Sequence, residues 1–248
     1  MRDCICLILA AGQGTRMKSG LAKVLHPLCG KPLVEHVVRS AQKAGVARTV
    51  VIVGHQADKV REALNDLKVE FVLQPEQKGT GHAVMQALPI IEKFAGELLV
   101  LYGDVPLIKP ATIISLLKKH REERNACTML STIIDQPGGY GRVIRDAGGS
   151  VTKIVEARDA SPEELAVREI NPAIYSFENQ KLVEALSQLK PNNKQGEYYL
   201  TDVIGIFRAK GMKIAAQIVE DSREVLGINT PEELVECEKY LKTNVQNA

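Results

Sequence analysis

The densest chemistry in the chain lies between residues 4 and 31. A short apolar run, 4–9, breaks into Ala10, Ala11, Gly12, Gln13, Gly14, Thr15 and Arg16, and a second cation, Lys23, follows closely. Glycines after a buried strand let backbone N–H groups approach a ligand, because no Cβ stands between them. With Arg16 and Lys23 beside them, the pattern suits a flat group joined to phosphates. It matches none of the commoner phosphate motifs. A dinucleotide fingerprint needs a third glycine where Met17 stands, and a P-loop needs Ser or Thr where Pro32 follows Gly30-Lys31. There is no Gly-x-Ser-x-Gly or His-Glu-x-x-His, and the five histidines (His26, His36, His55, His82, His120) are scattered. Of these, His36 and His120 read as helix-surface residues. Hydride transfer, Walker-type ATPase chemistry and serine or zinc hydrolysis fall away.

The elements that must position these residues follow from periodicity. Residues 32–44 place Leu33, Val34, Val37, Val38 and Ala41 on one helical stripe, closed by Gly45. Strands are expected at 49–53, 69–73 and 98–102, and helices at 57–67 and 81–88. Val60, Ala63, Leu64 and Leu67 face inward from the first of these helices. Alternation of this kind argues for an α/β fold: a Rossmann-like, mostly parallel sheet with helices on both faces. Ligands of such sheets lie outside the carboxyl ends of the strands. Loops 12–16, 74–80 and 103–104 therefore converge, although they are far apart in sequence. The second half is less regular. Strands at 126–133, 141–144, 151–155, 170–177 and 214–219, and helices at 178–189 and 200–210, predict a small mixed sub-lobe built onto the sheet. Thr230-Pro231-Glu232-Glu233 opens a last helix, with threonine as its cap and proline in the first turn.

Composition narrows the class. Lys and Arg number 32 against 30 Asp and Glu, a near-balance that gives no electrostatic case for nucleic acid or membrane. Tryptophan is absent and aromatics are 4%, which weakens any base-stacking platform. Cys4, Cys6, Cys29, Cys127 and Cys237 include no Cys-x-x-Cys pair and read as buried thiols in a reducing compartment. The start, Met1-Arg2-Asp3 before a short apolar run, is not that of a signal peptide, and no segment approaches the ~20 apolar residues that span a bilayer. A cytoplasmic protein is expected.

The loop at 9–17 resembles the Leu-Ala-Ala-Gly-x-Gly-Thr-Arg-Met signature of sugar-phosphate nucleotidylyltransferases. Further blocks agree in order: Lys23-Val24-Leu25-His26-Pro27-Leu28, Leu73-Gln74 with Gly79-Thr80-Gly81-His82-Ala83, and Leu101-Tyr102-Gly103-Asp104-Val105-Pro106-Leu107. Later come Gly139-Tyr140-Gly141-Arg142, Ile154-Val155-Glu156, Glu169-Ile170-Asn171, the block 195–202, and Gly227-Ile228-Asn229. Together they look like the uridyltransferase half of the bacterial bifunctional N-acetylglucosamine-1-phosphate uridyltransferases. The resemblance implies UTP and a sugar-1-phosphate, N-acetylglucosamine-1-phosphate, as partners, and Mg²⁺ as cofactor. It assigns Arg16 and Lys23 to catalysis, and Asp104 and Asn229 to the metal. It gives Leu9, Ala10, Ala11, Gly12, Gly14, Thr15, Gln74, Gly79 and Thr80 to the nucleotide, with Gln74 reading uracil. Tyr102, Gly103, Gly141, Glu156 and Asn171 would meet the sugar. Residues 1–229 would form the nucleotidyltransferase domain with its sugar-binding sub-lobe, and 230–248 a C-terminal helical arm.

The chain departs from that family in three places. Ala22 stands where proline usually precedes the lysine, which is expected to loosen the phosphate loop. Pro172-Ala173 replaces a common Thr-Gly after Asn171, so contacts near the sugar hydroxyls are expected to differ. The chain stops at Ala248 without the hexapeptide repeats of a β-helix, so no acetyltransferase activity is expected. Two alternatives compete with the leading reading: the same chemistry with another base or sugar, such as thymidylyl transfer to glucose-1-phosphate, and a catalytically silent nucleotide-sugar sensor.

Overall fold

The computed structural model describes residues 4–245, with side chains through residue 243. The ends of the two expected domains, 1–3 and 246–248, lie outside these residues. The first strand, β1 (Cys4–Ala10), is buried along its whole length, because it pairs on both edges and is covered on both faces. A small hairpin of β2 (Pro27–Leu28) and β3 (Lys31–Pro32) leads into α1 (Leu33–Lys43). Then follow β4 (Arg48–Val53), α2 (Ala57–Ala63), β5 (Glu70–Leu73), α3 (Thr80–Met85), α4 (Leu88–Ile91) and β6 (Glu97–Tyr102). These strands lie in the order β5-β4-β1-β6, all parallel. The expected stripe of α1 is buried, each large aliphatic side chain contributing roughly 1.5–3 kcal/mol of transfer free energy. The opposite face is covered in part by Ala83 and Val84 of α3. Helix α2 ends earlier than its apolar pattern predicts. The chain turns through Asn65 and Asp66, which favour turns, and Leu64 already bonds in the tighter 3-10 manner, its N–H to Arg61 O (3.2 Å).

Helix α5 (Pro110–Glu123) follows β6; beyond the reading of His120 as a helix-surface residue its extent was not anticipated, since Lys118-Lys119-His120-Arg121 obscures its stripe. Ile113, Leu116, Leu117 and His120 face inward. His120 is thus no surface residue: it is 3% exposed, its Nδ1 lies 3.1 Å from Thr128 Oγ1, and burial pushes its pKa down to about 4. The chain then forms β7 (Cys127–Ile133), β8 (Gly141–Arg145), β9 (Val151–Val155), α6 (Pro162–Leu165), β10 (Glu169–Asn171), β11 (Tyr175–Glu178), α7 (Asn179–Leu186), α8 (Asp202–Ala209), β12 (Ile214–Ile218) and α9 (Pro231–Val245). Antiparallel pairing carries the sheet from β6 through β11, β7, β10 and β8 to β9, while β12 joins β7 in parallel.

The single strand expected at 170–177 is two. Pro172 lacks an N–H, and Ala173 adopts φ +63°, so β10 tips into the sub-lobe while β11 stays in the main sheet. Asn171 Oδ1 accepts the Ala173 N–H (3.1 Å) and pins this kink. All five cysteines are free thiols. Four are buried as expected, but Cys29 is exposed, because it sits at the tip of the β2–β3 hairpin with φ +48°. Among the described residues, no helix is long and apolar enough to cross a membrane.

Candidate active site

The loop leaving β1 is shaped around a lysine. Gly14 takes φ +69° at the start of a 3-10 turn, Thr15–Met17, and a Cβ there would collide with the Lys23 side chain. Glycine therefore lets a second 3-10 turn, Lys23–Leu25, close against the first. Lys23 Nζ donates to Asp104 Oδ2 and, at 3.0 Å, to Asn229 Oδ1, which also accepts from Arg16 Nη2 at 2.7 Å. The Lys23 and Asp104 side chains are only 18% and 13% exposed, so this is no solvated surface pair. Arg16 and Lys23 thus share the Asn229 oxygen, and Lys23 pairs with the Asp104 carboxylate.

Ala22 does not leave this loop slack. It is fully buried, its φ of −56° lies in the range proline would impose, and its N–H donates to Gln56 Oε1 (3.2 Å). Gln56 Nε2 in turn donates to Gly20 O (2.6 Å), so Gln56 staples the loop, and its bond to Ala22 uses a donor that proline lacks.

Asp104 and Asn229 meet through a chain of supports. The Gly103 N–H bonds Leu9 O (2.9 Å), tying the end of β6 to β1. Asp104 O accepts the Ile228 N–H (2.8 Å), and a Cβ on Gly227 would lie 3.0 Å from Asp104 Oδ2. Tyr140 Oη accepts the Gly227 N–H (2.9 Å) and donates to Gly227 O (3.3 Å); burial raises its pKa to about 12, so it remains a donor. Asn229 donates its side-chain N–H to Gly227 O (2.9 Å) and its backbone N–H to Glu233 Oε2 (2.6 Å). Glu233 and Thr230 form a capping box at the start of α9: the Glu233 N–H bonds Thr230 Oγ1 and the Thr230 N–H bonds Glu233 Oε2, both at 3.2 Å. Leu234, Cys237 and Leu241 anchor that helix on Leu28, Leu33 and Ile228.

The donor set suits a hard cation. The Asp104 and Asn229 oxygens converge on the Lys23 ammonium. Among the described residues no group of three or more His, Cys, Asp or Glu could hold a metal unaided. An ion here needs further oxygens from a substrate, as Mg²⁺ at phosphates commonly does.

Two clefts meet at Thr80, Tyr102 and Asp104. The first, about 290 Å³, is lined by Leu9, Ala10, Ala11, Gly12, Lys23, Gln74 and Gly79 together with those three. Gln74 is 3% exposed, and its Nε2 donates to Gly79 O at 3.1 Å. Gly79 has φ +104°, and a Cβ on it would lie 2.6 Å from Tyr198 O. The segment 197–200 is laced to the 78–81 loop: Tyr198 N–H to Lys78 O and Gly81 N–H to Tyr198 O, each 2.8 Å, and Leu200 N–H to Thr80 Oγ1 at 3.0 Å. The second cleft, about 330 Å³, is lined by Arg16, Gly141, Glu156, Asn171 and Asn229 beside the shared three. Glu156 accepts from Thr201 Oγ1 (3.0 Å). Burial pushes its pKa up, the Thr201 hydroxyl opposes this, and Asp202, Asp159 and Glu197 add to the rise. Burial likewise keeps the Tyr102 phenol neutral. Asn171 donates to Tyr175 Oη at 2.7 Å.

Of the residues singled out in the sequence, Gly14, Thr15 and Gly103 line neither cleft. Gly14 acts on the position of Lys23, and Gly103 is buried against Val24, Val34 and Ala10. Sequence reading missed Gln56, Gln77 and Glu233, gave Tyr140 no task, and reached Thr201 only as part of the block 197–202, expected to shape the sugar pocket. Only Glu233 left a signal, the Thr-x-x-Glu spacing of a capping box.

Residues 6–202 match the family described as the MobA-like NTP transferase domain. A bifunctional protein GlmU of Brevibacillus brevis is 48% identical over 239 residues, covering 96% of this chain and 52% of the relative. Another, of Shouchella clausii, is 50% identical over 245 residues, covering 99% and 54%. The chain thus spans about half the length of the curated relatives it matches. A crystal structure of UDP-glucose pyrophosphorylase complexed with UDP-glucose superposes with a TM-score of 0.78, covering 98% of this chain and 100% of the other at 20% identity, a likeness of fold. With two-strand-end loops, paired cations and a carboxylate–amide pair assembled over a parallel sheet, the chain belongs to the MobA-like NTP transferase domain family.

Proposed function

We propose that this protein transfers UMP from UTP to N-acetylglucosamine-1-phosphate, giving UDP-N-acetylglucosamine and pyrophosphate. The observation that carries this reading is the meeting of two clefts at Asp104, with Lys23 and Arg16 at the junction. One cleft has a backbone floor and a reading amide; the other presents polar side chains suited to hydroxyls. The likeness to bifunctional GlmU proteins favours this substrate pair over thymidylyl transfer to glucose-1-phosphate.

An oxygen of the sugar phosphate attacks the α-phosphorus of UTP; the new P–O bond forms as the bond to the bridging β-phosphate oxygen breaks, and pyrophosphate leaves with that electron pair. Several anions must be held close and in line, so the task is charge neutralisation and positioning. Lys23 balances charge at the α-phosphate, and Arg16 with the backbone of Ala11 and Gly12 holds the departing phosphates. Gln74, Gly79 and Thr80 seat the base. Tyr102, Gly141, Glu156 and Asn171 receive the sugar. Asp104 and Asn229 would hold a Mg²⁺, which when bound shields the phosphate oxygens. Residues 1–229 serve as the transferase domain, 230–248 as an arm that fixes Asn229 from behind, and the reaction belongs in the cytoplasm.

Pyrophosphate release with a panel of UTP, TTP and CTP against N-acetylglucosamine-1-phosphate and glucose-1-phosphate tests this. The highest kcat/KM is expected for UTP with N-acetylglucosamine-1-phosphate. Binding without pyrophosphate release would make the protein a sensor, and a preference for TTP or glucose-1-phosphate would reassign the substrates.

A further inference from the structure

We infer that His82 is a positioning residue: it locks the Gln74 amide with its oxygen toward the first cleft, and so makes the site accept uracil and refuse cytosine. The inference rests on the base-reading role given to Gln74 above.

Gln74 sits at the end of β5, its backbone N–H bonded to Val53 O (2.7 Å). Its side-chain nitrogen meets two partners, Gly79 O at 3.1 Å and His82 Nδ1 at 3.0 Å. A carbonyl oxygen can only accept, so the end of the amide facing Gly79 is the NH₂ end. The second N–H then points at His82 Nδ1, which must offer a lone pair. The neutral ring accordingly carries its proton on Nε2. Gln86 Nε2 lies 3.2 Å from that nitrogen. Gln86 Nε2 also donates to the His82 carbonyl at 3.1 Å, so an oxygen turned to the ring N–H would face that carbonyl; the half-exposed Gln86 side chain instead swings toward solvent and leaves the ring N–H to water. Buried Gln74 has no such freedom.

Both N–H groups of Gln74 are therefore engaged by the protein, and Oε1 has no partner among the described residues. What the amide shows a base is an acceptor. Uracil offers a donor, N3–H; cytosine carries a lone pair at N3. An acceptor fixed in place bonds the first and repels the second. Thymine also has N3–H, so this lock separates keto from amino pyrimidines and leaves thymine to other contacts.

The groups facing His82 are Lys78 and Glu76 of the 74–80 loop and the Tyr198 ring, whose centroid is 6.3 Å away. Burial, then Lys78, lower its pKa, with Glu76 opposing, so the lone pair is present at neutral pH.

The test is steady-state pyrophosphate release by the full chain with UTP and with CTP. His82→Leu is expected to raise KM for UTP about 5- to 10-fold with kcat little changed, and to raise the CTP/UTP ratio of kcat/KM by about 10-fold. His82→Asn, whose Oδ1 can replace Nδ1, should restore both. Wild-type KM for UTP should climb as pH falls below the ordinary imidazole range, while that of His82→Asn stays flat. An unchanged UTP/CTP ratio in a folded His82→Leu, or no rescue by His82→Asn, overturns the inference. Gln74→Ala separates the two levels: an unchanged KM for UTP there removes the base-reading role itself, whereas a raised KM there with His82→Leu unaffected removes only the part given to His82.

Discussion

The cleft over β1 and the cleft over the sub-lobe touch at Thr80, Tyr102 and Asp104, yet they are made of different material. The first is floored by the end of a parallel strand and by loops that need glycine at defined points. Gly14 must clear Lys23, and Gly79 must clear Tyr198. The second is walled by Glu156, Asn171 and Asn229, whose positions depend on Thr201, Tyr175 and Glu233. A floor of backbone is specific about shape and charge, and tolerant of which phosphate lies on it. Walls of polar side chains are specific about hydroxyl positions, and vulnerable to the loss of any support.

The junction is where the comparison can be broken most severely. Asp104→Ala removes the anchor of Lys23 together with one oxygen of the cation site, and turnover should fall by ~10³-fold or more. Lys23→Ala should cost ~10²–10³-fold, and the double variant little more than Asp104→Ala alone, since the two act as one unit. Near-normal pyrophosphate release from either single variant at saturating Mg²⁺ would remove both from the chemistry.

Next in size is Glu233→Ala, which frees Asn229 from behind. We expect a rate loss of roughly 10-fold, by analogy with groups that orient metal ligands, and a stability loss of about 1 kcal/mol for the lost cap. Urea unfolding read beside the rate separates them; a stability loss without a rate loss would confine Glu233 to the helix.

Glu156→Gln sharpens the contrast between the clefts. KM for the sugar phosphate should rise severalfold while KM for UTP stays put. Because burial raises the Glu156 pKa, the unfolded chain releases this proton first as pH rises. Stability from the buried neutral carboxyl is therefore full below the unfolded value near 4.3 and is lost as pH rises through the higher folded value. The glutamine variant should melt higher than wild type at pH 7, and this advantage should vanish at pH 4. An equal gain at both pH values would point to packing.

The smallest effect is expected at Ala173→Gly. An L-residue at φ +63° costs roughly 1 kcal/mol, which glycine relieves, so the urea midpoint should rise with no change in KM for UTP. A lower midpoint would mean that the alanine methyl packs to more effect than its backbone strains.

The ease of reading the sequence follows the same division. Strands β1, β4 and β6 could be placed because each is a continuous apolar run between turn residues, and the loop that ends β1 is compact in sequence. The residues proposed to meet the phosphates were visible there as glycines and cations. Helix α5 was not, since Lys118, Lys119 and Arg121 crowd the end of its stripe in sequence and His120, which completes that stripe, is polar yet buried. Nor was the break in 170–177, where a run of strand-forming residues conceals a positive φ at Ala173. The role of Ala22 was misjudged for a related reason: its restraint comes from Gln56, 34 residues away, which leaves no local mark.

The amino-acid sequence by itself determined the α/β alternation, the glycines that keep side chains out of the first cleft, and the residue types available for charge neutralisation. These depend on periodicity and on backbone freedom, which are local properties. Tertiary structure alone decided that Lys23 bridges Asp104 and Asn229, that Gln56 and Glu233 brace the loop and the amide, and that His82 faces Gln74. These hydrogen bonds, between residues as far as 206 positions apart, depend on sheet order and helix docking, and the sheet order is set by which strands find each other in the folded chain.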